Sequence, residues 1–472
     1  MSWHVTSMQQ LRPHRRPNRT TLVSRNERGV TLLLVAVAMF TILAMAALAI
    51  DVVTLYVGRA EAQTAADAAA MAGAKSLVAG GVTADPNNNS GVWQVACLQA
   101  TDQATAAAQQ NPIGGVVAGT IIVTFPNAPN PTSCNGTNAV FGINPQVQVR
   151  VERNDFPTFF ARIWRRGLNT VSATATAEAF NPSNSASASA DGNTVGISPK
   201  CVKPWLIPNK DPADLTGATP LIDPTTGALL PNAIGERFLL RSDCRTGRPN
   251  CQGGNLNRNP PQPTGPQPPS PLNQLDYVPA SVQSSPVSHL PSCAGGSDFE
   301  QAIEGCDTTT YSCGLAAPPA PVPTADLTLN RGTINTNVRE GVQCLIMNGN
   351  NNGPDTLAST TPPWRFQVGP SNPLAGVNGI VTNDELTSSN SVVTVPVYDG
   401  AVLPNTPSPQ VNIVGFVQLF INDLSPAGTG STGRVDVTIL NISGCVRNPG
   451  TTAPVSGGGI SAVPVRLMKP SN

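Results

Sequence analysis

The stretch "LAIDVVTLYVGRAEAQTAADAAAMAGA" (Leu48–Ala74) joins an apolar segment to alanine-rich sequence with no proline at the junction. The apolar segment, Val30–Ile50, has 21 residues and no charged side chain. As a helix it measures about 31 Å, close to the ~30 Å hydrocarbon thickness of a bilayer. Because alanine favours helix more than any other residue, the pattern predicts one helix from about Gly29 to Val78 whose first part spans a membrane.

The charges that flank this segment predict its orientation. Residues 1–29 contain six arginines, no lysine and one acidic residue, Glu27, whereas the sequence after Ile50 mixes both signs. The positive-inside rule then places a basic arm, residues 1–28, in the cytoplasm and the rest outside the inner membrane. The arm is either a topology signal alone or also a site for anionic lipid headgroups.

A cleaved signal peptide is the alternative to a retained anchor. Ala47-Leu48-Ala49 fits the small-x-small pattern of a cleavage site. However, 21 apolar residues exceed the usual 7–15 residue core of such signals. The length therefore favours a single-pass membrane anchor.

The cysteines all follow the apolar segment, which agrees with an exported region. An even number in loop-rich exported sequence favours disulfide bonds. A metal site is disfavoured because no CxxC pair occurs and two of the three histidines lie in the basic arm, so we expect no metal and no cofactor. The disulfide candidates are Cys97, Cys134, Cys201, Cys244, Cys251, Cys293, Cys306, Cys313, Cys344 and Cys445.

Composition narrows the class of protein. Formal net charge is +0 and only 12% of residues are charged, so we expect no nucleic-acid partner. Aromatic residues make up 4%, while the chain has 42 glycines and 46 prolines. This composition is typical of a loop-rich extracytoplasmic protein, and less so of a compact enzyme.

Local patterns predict an α+β chain in which a small module follows the helix of residues 29–80. Residues 81–180 combine a helix, Val92–Gln110, with alternating strands near residues 119–125, 146–152 and 170–180. Within this module "DFPTFFARIW" (Asp155–Trp164) predicts a short helix with Pro157 in its first turn. Cys97 and Cys134 are the only cysteines of the module and are the favoured first pair.

The remainder is predicted to be crosslinked loops followed by strands. Residues 181–196 form a Ser/Ala-rich linker, and residues 197–390 are rich in cysteine and proline. Residues 391–472 contain β-rich stretches near 391–399, 410–423, 433–445 and 461–468. These stretches predict a C-terminal antiparallel sheet or small barrel.

The helix beyond Asp51 carries two rows of residues spaced four apart. The first row has almost no side-chain bulk, which allows close helix packing, although a plain alanine-rich spacer fits equally well. The second row is polar and places Gln63 beside Asp67 as a hydrogen-bonding pair. The small row is Gly58, Ala62, Ala66, Ala70 and Ala74, and the second is Asp51, Leu55, Arg59, Gln63 and Asp67.

The ordered polar positions carry a family resemblance. Arg28-Gly29 enters the apolar segment, Ala49-Ile50-Asp51 ends it, and Tyr56, Arg59, Gln63 and then "ADAAAMAGA" (Ala66–Ala74) follow. This order resembles the N-terminal segment of the TadG-like family of Flp (tight adherence) pilus-assembly proteins. The metal-binding Asp-x-Ser-x-Ser loop of some family members is absent, so metal-dependent adhesion is not implied.

The resemblance implies a membrane-anchored structural or interaction component of pilus assembly or secretion. Its partners would be the membrane and either pilin-like subunits or proteins of the secretion platform, packed against the small row. The alternative is a tethered adhesin or ligand-binding protein. Enzymatic activity is not expected, because a hydrolase would depend on His289 in a proline-flanked loop without a nucleophile elbow.

Overall fold

The computed structural model of the 472-residue chain forms two compact units, one of residues 1–57 and 155–169, the other of residues 58–154 and 170–472. The structure describes residues 27–83, 90–136, 141–142, 144–160, 169–179, 197–199, 201–224, 229–230, 233–243, 260–282, 296–306, 311–314, 323–329, 331–346, 353–362, 364–373, 375–377, 379–386, 389–404, 406–425, 433–445, 455–457, 463 and 465–468.

The first unit is built on the N-terminal part of α1, a helix that runs from Glu27 to Ala79. The large apolar side chains between Val30 and Val57 are exposed, with Leu55 half-buried. By length and composition α1 can cross a membrane. The predicted long apolar helix is therefore confirmed, and it ends just before Gly80-Gly81, with Gly81 at a φ of 79°.

The second unit contains the helix α2 (Ser90–Gln109) and a four-stranded sheet. Val147, Val149 and Val151 alternate with more exposed residues and bury one face of the second strand. The last strand joins the sheet from the far end of the chain by pairing Val465 with Ala179. The order is β1 (Thr120–Thr124), β2 (Gln146–Phe156), β3 (Asn169–Ala179) and β15 (Val465–Met468).

A closed six-stranded barrel forms the centre of the second unit. Three of its strands come from before residue 390, so one barrel combines strands of the loop-rich region and the β-rich C-terminal region. Two of its pairings are parallel: β5 (Trp205–Pro208) pairs with β11 (Val392–Tyr398), and β6 (Arg237–Ser242) pairs with β7 (Gln274–Pro279). Its order is β11 (Val392–Tyr398), β12 (Ile413–Ser425), β13 (Arg434–Gly444), β6 (Arg237–Ser242), β7 (Gln274–Pro279) and β5 (Trp205–Pro208).

The barrel core includes side chains from two helices, α3 (Asp298–Glu304) and α4 (Arg331–Leu345). Alternate residues such as Val417, Leu419 and Ile421 belong to this core. Gly341 lets the helices approach closely, since a Cβ there would lie 3.0 Å from Ile303. The remaining short strands are β4 (Ile197–Pro199), paired with β14 (Val455–Gly457), and a sheet of β8 (Thr356–Leu357), β9 (Phe366–Gln367) and β10 (Glu385–Leu386).

Disulfide bonds are present in the α+β module and in the region that contains the barrel. Cys97 bonds to Cys134 in the α+β module, the pair favoured from the sequence. Two further bonds join Cys201 to Cys306 and Cys313 to Cys445. Cys344 is also disulfide-bonded, and Cys244, Cys251 and Cys293 lie outside the described residues.

The predicted fold class is confirmed, with helices, largely antiparallel sheets and disulfide bonds following a long apolar helix. The short helix expected at Asp155–Trp164 is wrong over its described part: Asp155 and Phe156 end β2, and Pro157–Phe160 are not helical. The linker at 181–196 lies outside the described residues. The domain boundaries themselves stay predictions.

Glu236, half-buried just before β6 and close to the carboxylate of Asp211, predicts a pH dependence of stability. Burial, together with the neighbouring carboxylate of Asp211, raises the pKa of Glu236 to about 8 from its ordinary 4.5. In this pH range the folded state therefore holds on Glu236 a proton that the unfolded state releases, so Glu236 makes stability fall as pH rises from roughly 4.5 to 8. Glu236→Gln removes the titration, and its thermal midpoint should fall less than that of the parent between pH 5 and pH 8.

Thermal unfolding of the two full-length proteins at matched pH values checks this. Glu300, whose pKa burial raises to about 7, is present in both proteins and contributes equally to both. Curves that stay parallel over this range would contradict the assignment to Glu236.

Candidate functional site

The small row of α1 is buried where it lies in the second unit. Ala62, Ala66, Ala70 and Ala74 each have 0% exposed surface, and Gly58 is also buried. Side chains of one carbon leave room for a neighbour at short range, as a closely packed face requires. The structure identifies that neighbour within the chain itself.

Helix α2 presents a matching small face. Ala96, Ala100, Ala104 and Ala108, again four residues apart, are all fully buried. A Cβ added to Gly73 would lie 3.3 Å from the Ala100 carbonyl oxygen and 3.3 Å from the Ala104 Cβ, and one added to Gly80 would lie 2.6 Å from the Ala96 Cβ. The two helices therefore pack antiparallel where Gly73 and Gly80, beside the small row, meet the alanines of α2.

This packing corrects the expectation that partner helices contact Gly58, Ala62, Ala66, Ala70 and Ala74. These residues are already covered by their own chain and leave no surface for a second protein. The spacing of alanines in α2 was the available signal, but a small stripe does not indicate which helix will pack on it.

A leucine at Ala66 is therefore expected to destabilise the fold. Three extra carbons in a fully buried position cost about 1–3 kcal/mol, because the surrounding residues must shift. Ala60→Leu is the matched control, since Ala60 is exposed on the same helix and the change should alter stability by less than about 0.5 kcal/mol. Thermal unfolding of the full chain in detergent would compare them, and equal midpoints would contradict the burial of Ala66.

The polar residues of the family pattern differ in how far their side chains are exposed. The predicted hydrogen bond is present, with Gln63 Nε2 donating to Asp67 Oδ1 over 2.8 Å. Arg59 and Gln63 are exposed, and Tyr56 has 76% of its surface exposed. Sequence reasoning missed Glu61, whose carboxylate accepts a hydrogen bond of 2.5 Å from the backbone N–H of Gly114.

Asp51 differs from the rest of its row because it is buried, with 3% of its surface exposed. Its Oδ1 accepts a hydrogen bond of 2.7 Å from the backbone N–H of Phe159, and its Oδ2 accepts one of 3.0 Å from that of Phe160. Both partners belong to the same unit as Asp51. A carboxylate that receives two N–H donors is strongly stabilised in its charged form.

These hydrogen bonds explain why Pro157–Phe160 is not a helix. The N–H groups of Phe159 and Phe160 donate to a side chain over 100 residues away in sequence, so the segment is held as a loop. Thr158 is buried, and its hydroxyl accepts a hydrogen bond of 2.9 Å from Asn169 Nδ2. The rings of Phe159 and Phe160 remain exposed, at 64% and 37%.

A groove of about 210 Å³ lies in the second unit between the end of α1, α2 and the short β9–β10 strands. Its rim includes an exposed ion pair of 2.8 Å between Arg365 and Glu385. Among the residues that the structure describes, no three His, Cys, Asp or Glu side chains are placed to hold a metal ion. His289, the residue weighed for hydrolysis, lies outside the described part of the chain.

Comparison with known proteins gives one match. Residues 29–76 match the model of the family described as "Putative Flp pilus-assembly TadE/G-like". The matched segment is most of α1 and includes both rows of residues, so the predicted resemblance of the anchor segment is confirmed and a pilus-assembly-related role is supported. No curated protein and no solved structure matches the chain.

Proposed function

We propose that this protein is a membrane-anchored, extracytoplasmic structural component of Flp-type pilus assembly or secretion, without catalytic activity of its own. The observation that carries the proposal is the coincidence of the family match at residues 29–76 with a helix whose apolar side chains are exposed. Exposed apolar side chains over this length are unfavourable in water and suit a bilayer.

The proposed location is the inner membrane, crossed once, with the N-terminus in the cytoplasm. The arginines of residues 1–29 support this orientation through the positive-inside rule. The disulfide bonds beyond the helix support an oxidising, extracytoplasmic environment for the second unit.

The proposed partner surface is the exposed polar part of α1, since the small row is occupied. Arg59 and Gln63 are exposed one turn apart, and the bond from Gln63 to Asp67 holds one of them in place. Pilin-like subunits or platform proteins that present an acidic side chain at this height would pair with Arg59. Such a contact selects a partner and its register more than it adds affinity.

Charge reversal at Arg59 tests this proposal in cells that make pili. Arg59→Glu should reduce pilus number strongly while leaving the amount of the protein in the membrane unchanged. Lys75→Glu is the matched control, since it reverses an exposed positive charge on the same helix and should leave piliation normal.

Normal pili in the Arg59→Glu strain would contradict the proposed partner surface. Normal pili in a strain that lacks the whole protein would contradict the role in assembly. If such a strain kept its pili but failed to attach to surfaces, the adhesin interpretation would replace the proposal.

A further inference from the structure

We propose that the loop Pro157–Phe160 is a second membrane contact, in which Phe159 and Phe160 insert into the lipid interface beside α1 and Asp51 holds them there. The inference rests on the proposed function in that α1 must lie in a bilayer. It adds a membrane-binding element from the middle of the chain.

The apolar surface of α1 continues beyond Asp51. Val52, Val53, Tyr56 and Val57 are exposed by 48–76%. From Val30 to Val57 the helix is about 42 Å long at ~1.5 Å per residue, which matches the roughly 40–45 Å of a bilayer with its headgroup regions. Asp51 therefore lies at the level of the lipid interface, and the apolar residues that follow it in α1 still suit contact with lipid.

The loop shields the carboxylate of Asp51 from lipid. A carboxylate beside lipid is unfavourable unless it is shielded and hydrogen-bonded. Here 97% of Asp51 is covered, as its 3% exposure shows, and the N–H groups of Phe159 and Phe160 donate to it. The same bonds satisfy two backbone donors of the loop, which a loop in contact with lipid requires.

The hydrogen bonds to Asp51 also place the rings of Phe159 and Phe160 beside α1. The 2.7 Å bond from Phe159 N to Asp51 Oδ1 fixes the loop at the helix level where the uncharged segment ends. Both rings are exposed although each is fully apolar, and Phe159 is as exposed as Leu34 within the segment, 64% against 63%. The rings thus lie at the same depth in the bilayer as the apolar surface of α1. Phospholipid of the same bilayer then covers both surfaces.

Photocrosslinking to lipid tests the inference. A p-benzoylphenylalanine is placed at position 159 of the full-length protein, which is reconstituted in liposomes that contain radiolabelled phosphatidylethanolamine. Leu34 is the positive control and Val381, 58% exposed in the second unit, is the negative control. We expect lipid adducts at position 159 several-fold above those at position 381.

The controls separate the possible failures. Lipid adducts at position 34 but not at position 159 would overturn the loop contact and leave the anchor standing. Adducts at neither position would overturn the anchor as well, and protein adducts alone at position 159 would also overturn the inference.

The role of Asp51 is tested by the same measurement in the Asp51→Asn variant. An amide offers a weaker acceptor to the two N–H groups, so the loop should be held less firmly and the adducts at position 159 should fall several-fold. Adducts at position 34 should not change. Unchanged adducts at position 159 would contradict the positioning role of Asp51.

Discussion

Asp276→Asn is expected to destabilise the barrel by about 3–5 kcal/mol, because it leaves the positive charge of Arg241 buried without its counter-ion. Arg241 Nε lies 3.3 Å from Asp276 Oδ1, and the two side chains are only 8% and 1% exposed. A second guanidinium, that of Arg434, lies nearby. Its pKa is lowered by burial first and then by the charge of Arg241. Asparagine therefore leaves two positive groups without the carboxylate that balances them.

Asp436→Asn provides the control, since its partner Arg237 lies on the same strand, β6, as Arg241. Asp436 accepts hydrogen bonds of 2.8 and 2.7 Å from Arg237, whose side chain is 54% exposed. Water screens such a pair, so its loss should cost less than about 1 kcal/mol. Chemical denaturation of the full chain, followed by tryptophan fluorescence, would compare the variants, and similar losses for both would contradict the buried character of the Arg241–Asp276 pair.

Removal of the Cys313–Cys445 disulfide is expected to cost about 2–5 kcal/mol. The bond joins residues 132 apart, and it ties the end of β13 to the segment before α4. The Cys313→Ala/Cys445→Ala protein should therefore unfold at a lower denaturant concentration. In the chain-entropy description the effect grows with the length of the closed loop.

The Cys97–Cys134 disulfide is the natural comparison, since its residues are only 37 apart. Its removal should cost about 1 kcal/mol less than that of Cys313–Cys445 if loop entropy dominates. Denaturation of the two double variants under oxidising conditions makes the test. No loss of stability in the Cys313→Ala/Cys445→Ala protein would contradict a structural role for that bond.

Features set by local periodicity could be predicted from the sequence. The apolar run and the alanine spacing predicted α1 within two residues at its start and one at its end. Alternation predicted β2, β3 and the last three barrel strands, because each buries one or both faces. The run of β-branched residues in Thr120–Thr124 predicted β1, which has no fully buried residue. The Gln63–Asp67 bond followed from helix geometry alone.

Features set by contacts between distant residues could not be predicted in this way. The small row indicated close packing, but only the fold shows that other residues of the same chain cover it. Asp51 stood out as a charge at the end of an apolar run, yet its partners are Phe159 and Phe160, which no local pattern connects to it. The barrel likewise uses β5, β6 and β7 from proline-rich sequence, where short strands gain their stability from pairing and burial.

Protease accessibility tests whether the helix crosses the bilayer once and leaves the disulfide-bonded unit outside. Spheroplasts are treated with protease and blotted for tags at both ends of the full-length protein. If the helix crosses the bilayer once with its N-terminus in the cytoplasm, the C-terminal tag is lost while the N-terminal tag survives on a short membrane-protected fragment. Protection of the C-terminal tag in intact spheroplasts, or recovery of the mature protein without its N-terminal tag in the soluble fraction, would contradict this topology.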